Sequence, residues 1–337
     1  MTFELGYWAP QEQHSPAALL RLVVEAEEVG FRRCITSDHF HPWFHKDASS
    51  GSTLVWLASA LERTRSMIIG TGVSAPIHRY HPAMLAQAFA TLDHLHPGRV
   101  ALGVATGEAM NEVPLGFGWP PFKERLERLE EAIRIMNLLW SQEFVTFRGR
   151  HYQLRDANLY VKPRNRIPVY VAASGPTVAD LAGRLADGLL TVPQPDNRLT
   201  EIILPALQKG AEAADREMAE LNLLLEFKFS YDEDYDRALE SVRRWGATEI
   251  PGIFGKEIYD PRQLEEMAMS VSSEELLKAW KVVTDPEELM GPLEEYAKLG
   301  FKEIYLHSSS PQESRVLAEV GRVLLPYFSE DQEPRKS

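Results

Sequence analysis

The densest group of reactive side chains is Ser37-Asp38-His39-Phe40-His41-Pro42-Trp43-Phe44-His45, with an aspartate, three histidines and a tryptophan in one short stretch. Imidazoles titrate near neutrality, so such a stretch can accept and release protons. It follows an apolar run, Cys34-Ile35-Thr36, that has the look of a short buried strand. In α/β chains, chemistry collects just past the C-terminal ends of strands. A loop whose histidines face solvent, with Trp43 as a core aromatic, is the plainer alternative.

Three further stretches share this position. Gly72-Val73-Ser74-Ala75-Pro76 is small enough for a flat ligand to approach the backbone. Ala105-Thr106-Gly107-Glu108-Ala109-Met110-Asn111-Glu112 sets a carboxylate and an amide behind a glycine, although Glu108 could simply complement a helix dipole. Ala173-Ser174-Gly175-Pro176-Thr177 turns into a helix N-terminus, whose free N–H groups can hold a phosphate. An ordinary strand-to-helix turn would look the same. His39, His41 and His45 lack an accompanying carboxylate triad, so no metal is expected. His41, His45, His94, His96 and His151 are assigned to structure or solvent. There is no Gly-x-Ser-x-Gly nucleophile pattern, and the Gly103/Gly107 spacing is not a dinucleotide fingerprint.

The elements that must carry these stretches alternate. Phe3–Trp8 is a first strand, Ala17–Val29 a helix with Ser15-Pro16 before it and Gly30 after it. Strands around 34–36, 66–73, 99–104, 167–173, 188–192, 221–230 and 301–307 follow, separated by helices. Eight strands with short crossovers predict a (β/α)₈ TIM barrel with insertions at its C-terminal face, ahead of a doubly wound sheet. The expected single domain spans 1–330. Its insertions are 141–166, a hairpin turning at 147–150, and 246–284, a punctuated segment expected to lid the barrel mouth. Residues 331–337 form a polar tail. A net charge of -13 argues against nucleic acid and anionic membranes as partners. The lone cysteine excludes internal disulfides, and neither a membrane span nor a signal peptide is visible, which predicts a soluble cytoplasmic protein.

Ser-Asp-His-Phe-His-Pro-Trp at 37–43, Arg79-Tyr80-His81-Pro82-Ala83 and Gly107-Glu108-Ala109-Met110-Asn111-Glu112 resemble the bacterial-luciferase-like superfamily, and within it the branch using the deazaflavin coenzyme F420. The likeness runs from Tyr7 to about Pro326. Phe40-His41-Pro42-Trp43, Glu108 to Pro114 and Val145 to Gly149 look nearer to the F420-dependent secondary alcohol dehydrogenases than to the glucose-6-phosphate dehydrogenases. The resemblance implies a homodimer, a bound F420, and hydride transfer to its C5 while His39 takes the hydroxyl proton. Trp43 would hold the substrate oxygen and Glu108 would act as acid or hydrogen-bond partner near the ring. Asp38 would orient the ring, Gly72 and Val73 would back it through a cis peptide, and Thr106, Gly107 and Asn111 would touch it. Ala173, Ser174, Gly175, Pro176 and Thr177 would bind its phosphate. Glu12 matches a substrate-site carboxylate, and Trp245, Phe254 and Lys256 are expected around the substrate. Ala279 and Pro193-Gln194-Pro195 stand where the sugar-phosphate branch carries cations, which points to a neutral alcohol. The alternatives are a sugar or sugar phosphate on the same cofactor, and an FMN-dependent monooxygenase.

Overall fold

Strand and helix alternate through residues 3–329, the part of the chain described by the computed structural model; the polar tail expected at 331–337 lies outside it. Eight strands form the barrel: β1 (Glu4–Ala9), β2 (Arg33–Thr36), β3 (Ile68–Thr71), β4 (Val100–Val104), β5 (Val169–Ala172), β6 (Gly188–Thr191), β7 (Asn222–Tyr231) and β8 (Glu303–Ser308). Each pairs in parallel with the next in the chain, and β8 returns to β1. No edge is left between them, so the structure is the closed barrel and not the doubly wound sheet.

Alternation along each strand feeds two cores. In β4, Val100, Leu102 and Val104 face the helical layer, whereas Ala101 joins Trp8, Ile35, Tyr170, Leu190, Leu224 and Tyr305 inside the barrel. The first crossover helix, Pro16–Val29, begins where Ser15 Oγ accepts from Ala18 N at 3.3 Å and ends at Gly30, whose φ of 125° favours glycine. Among the described residues no helix is long and apolar enough to cross a membrane.

The insertions hold more order than their punctuation suggests. Residues 145–148 and 153–157 form the expected hairpin, but Phe147 and Arg148 belong to its first strand and the reversal falls after them. Glu131 explains the shift: its carboxylate accepts from the N–H groups of Arg150, His151 and Tyr152 at 2.7, 3.0 and 3.0 Å. Between β7 and β8, helices Pro261–Ala268 and Ser273–Ala279 appear, followed by a short strand, Lys281–Val283, laid in parallel against the C-terminal end of β7 at Phe229, Ser230 and Tyr231. Asp260 caps the first and a Ser272/Glu275 capping box starts the second. A further helix, Met290–Lys298, precedes β8. The segment has its own apolar cluster, in which Trp245, Ile253, Leu264, Leu276 and Trp280 meet Trp43 and Phe44.

Candidate active site

At the C-terminal end of β2, Ser37 to His45 folds over the barrel mouth. His39 points into the cavity there, with Nε2 3.2 Å from Glu12 Oε1 and Nδ1 3.2 Å from Asn111 Nδ2. The Asn111 amide is oriented by Phe40 N, which donates to its Oδ1 at 2.8 Å. Asn111 Nδ2 is therefore the donor, Nδ1 of His39 accepts, and the imidazole proton sits on Nε2 facing Glu12. Glu12 is buried; its removal from water raises its pKa, against the pull of His39 and of Ser37 Oγ at 2.6 Å. Trp43 presents an edge to His39 across 6.1 Å and lines the same cavity.

Glu108 lies on the other side of His39, its Oε2 3.8 Å from Nδ1 and accepting from Asn111 Nδ2 at 2.8 Å. Burial pushes its carboxyl up to about 7, with Arg79 opposing the rise and Asp38 adding to it. Glu112 reaches about 7 for the same first reason, despite the Arg79 N–H donated to its Oε2 at 2.8 Å.

Asp38 was expected to orient a cofactor ring, but it does not face the cavity. It is buried with its carboxylate committed to Ser74 Oγ at 2.5 Å, Tyr80 OH at 3.2 Å and the Arg79 guanidinium at 3.0 Å. It ties the β2 and β3 loops together from behind. Asn111 likewise acts through His39 and Glu108 and does not line the cavity.

A flat, small-residue wall spans the ends of β3, β4 and β5. Gly72, Val73, Ala105, Thr106, Gly107 and Ala173 form it, and the Gly72–Val73 peptide is cis, as the family likeness implies. Gly107 holds a φ of +75° at the turn out of β4, and a Cβ there would sit 2.8 Å from Ile77. Ser174 reaches the cavity rim, and Gly175, Pro176 and Thr177 continue outward as the start of helix Pro176–Leu185.

The opposite wall went unnoticed in the sequence. Glu226 and Lys228 point inward from β7 and His307 from β8. Glu226 Oε1 lies 2.7 Å from His307 Nδ1, and Lys228 Nζ lies 3.1 Å from Glu249 Oε1. Burial opposes charge on both Glu226 and Lys228, yet their partners prevail: Glu226 is held below and Lys228 above its ordinary pKa. The 246–284 segment completes this side with Thr248, Glu249 and Phe254, beside Trp245. Phe254 stands edge-on to Trp43 at 5.3 Å, and Trp245 donates from Nε1 to Gln13 at 2.9 Å. Lys256, expected near the substrate, is instead exposed and outside the cavity, because the short turn Ile253–Gly255 ends just before it.

A barrel with an imidazole–carboxylate pair at β1 and β2, facing a flat wall at β3 to β5, defines the class. Residues 1–303 match the luciferase-like monooxygenase family, and the chain belongs to it. The F420-dependent glucose-6-phosphate dehydrogenase of Nakamurella multipartita is 41% identical over 95% of both chains; that of Beutenbergia cavernae is 42% identical over 96% of both. An F420-dependent secondary alcohol dehydrogenase solved with an F420-acetone adduct superposes with a TM-score of 0.94, at 35% identity over 98% of this chain and 100% of its own. The sugar-phosphate enzymes, placed second by the short motifs, are thus similar over the full length too.

Proposed function

We propose that the protein is an F420-dependent dehydrogenase that oxidises a neutral secondary alcohol to the ketone, reversibly. The observation carrying the choice of substrate is the charge of the cavity wall. Among the described residues, Glu12, Glu108, Glu226 and Glu249 line it against one lysine, Lys228, already paired with Glu249, and no arginine lines it. A phosphate dianion needs several free donors and would meet carboxylates instead. The full-length likeness to glucose-6-phosphate dehydrogenases favours a sugar phosphate as the second reading.

The residues present fit a deazaflavin. Gly72, Val73, Ala105, Thr106, Gly107 and Ala173 would hold its planar ring, and Ser174, Gly175 and Thr177 at a helix N-terminus would hold its phosphate. When bound, the deazaflavin supplies hydride acceptance at C5. The chain does the rest. His39 takes the hydroxyl proton at Nδ1, which exchanges its Asn111 contact for the substrate hydroxyl, and the charge it gains is met by Glu12 at 3.2 Å and Glu108 at 3.8 Å. Trp43 and Trp245 close the cavity sides and keep water from the reacting carbon.

The test mixes purified protein with oxidised F420 and adds isopropanol or glucose-6-phosphate while the visible absorbance is followed. Bleaching with isopropanol is the expected result. Bleaching with the sugar phosphate alone refutes the neutral-substrate reading, and binding of FMN with indifference to F420 refutes the cofactor.

A further inference from the structure

Resting on the dehydrogenase reading above, we infer that the neutral substrate carries a second hydroxyl group, gripped by His307, Glu249 and Lys228 while its carbinol faces His39. The substrate class is then a vicinal diol, polyol or unphosphorylated sugar.

Hydrogen-bond capacity on the β7–β8 side carries the inference. Glu226, as a carboxylate, can only accept, so His307 Nδ1 must bring the proton to their 2.7 Å contact. Burial holds the His307 ring neutral, against the Glu226 charge, which leaves Nε2 as a bare lone pair. That nitrogen is buried, belongs to a cavity-lining side chain and has no partner among the described residues. Trp8 stacks on the ring at 5.5 Å and Trp245 and Trp280 meet its edges at 4.8 and 5.2 Å, so it cannot swing away to find one.

Glu249 repeats the pattern. Thr248 Oγ1, Trp280 Nε1 and Lys228 Nζ all donate to Oε1, at 2.8, 3.1 and 3.1 Å. Among the described residues no hydrogen bond reaches Oε2. Lys228 spends one of three N–H groups on this contact. The wall therefore offers two unfilled acceptors and an ammonium with donors to spare. A hydroxyl donates one hydrogen bond and accepts two, so the second hydroxyl fills one of these acceptors while accepting from Lys228, and a further hydroxyl, as a polyol or sugar carries, fills the other. A phosphate would face acceptors with acceptors. A substrate ammonium would be repelled by Lys228, which already occupies the same carboxylate. A monohydric alcohol would leave the buried His307 Nε2 unpaired, the condition under which such sites discriminate most strongly.

The experiment compares kcat/KM with F420 for butan-2-ol and butane-2,3-diol, and for glucose and glucose-6-phosphate. We expect the diol to exceed the mono-ol by about 100-fold or more, in the range seen for sites built around a substrate hydroxyl. Glu249→Leu alone would strand Lys228, so the double variant Lys228→Met/Glu249→Leu is used. It should cut the diol-to-mono-ol ratio at least tenfold through KM, with a cooperative melt retained. Quenching of tryptophan fluorescence by butane-2,3-diol in cofactor-free protein should weaken in parallel. Equal use of mono-ol and diol, or an unchanged ratio in the double variant, overturns the second-hydroxyl inference and leaves the dehydrogenase reading standing. Preference for glucose-6-phosphate over glucose, or no oxidation of any of these alcohols, brings down both.

Discussion

The two walls of the cavity are built on opposite principles. The wall from β3 to β5 consists of glycine, alanine, valine and threonine, with no charged side chain until Glu108 at its edge. The wall from β7, β8 and residues 243–255 presents Glu226, Lys228, Glu249 and His307 in two buried pairs. The first can select a ligand by flatness alone, since small residues offer shape and backbone but little polarity. The second selects by hydrogen-bond capacity and excludes by charge. The proposed base His39, with Glu12 beside it, sits at the seam between them. A redox partner common to many relatives suits the first wall, and a substrate that differs between relatives suits the second.

Four experiments probe this division. The largest effect belongs to the seam. His39→Ala should lower kcat by about 10²- to 10⁴-fold, the usual worth of a positioned base. F420 affinity by fluorescence titration should stay within a few-fold, and a comparable loss of affinity would show that the seam is part of the cofactor wall. Next comes the charged wall: Lys228→Ala leaves the Glu249 charge without its counter-ion, both side chains of the pair being nearly enclosed. A loss of about 3–5 kcal/mol in denaturant titration is expected, against a near-neutral outcome for Lys228→Met/Glu249→Leu. Equal losses would mean that volume, not charge, sets this wall.

On the flat wall, Ala105→Leu should weaken F420 binding at least tenfold, about 1.4 kcal/mol, by filling the space a ring needs. The diol-to-mono-ol ratio should not move. The subtlest effect concerns the edge. With Glu108 and Glu112 both at about 7, kcat for alcohol oxidation should rise as pH rises through that value and Glu108 becomes the carboxylate that meets the charge on His39. Glu108→Gln should flatten the profile, because its amide cannot ionise, and an unaltered inflection would assign it to Glu112.

The sequence carried the first wall and the seam openly, and the second wall in code. Residues 34–45, 72–76 and 105–112 advertise themselves, because short strands end there in glycine, histidine and acid. Glu226 and Lys228 were hidden inside what looks like an apolar strand. Their phase was the available signal: Leu223, Leu225 and Phe227 face the helices, so period-two alternation turns 224, 226 and 228 into the barrel. Glu249 and Lys256 could not be ranked, since the segment around them is 3₁₀ turns without periodicity. Two of its helices were legible from Asp260-Pro261 and Ser272-x-x-Glu275, start signals that outweigh the surrounding breakers. Asp38 misled because residue type declares charge but not direction, and its partners Ser74, Arg79 and Tyr80 come from another loop.

The separate apolar cluster beneath residues 243–283 has an evolutionary consequence. Barrel strands share their two cores, inside the barrel and against the helices, where a change of volume is felt across the domain. Trp245, Ile253, Leu264 and Trp280 pack in another, so a lineage can revise this module without renegotiating the barrel. Yet Trp43 and Phe44, on the loop that carries His39, anchor in the same cluster. Drift in what the enzyme accepts is thereby tethered to how well it turns over, and descendants that gain a new substrate inherit the need to re-tune the loop that carries His39.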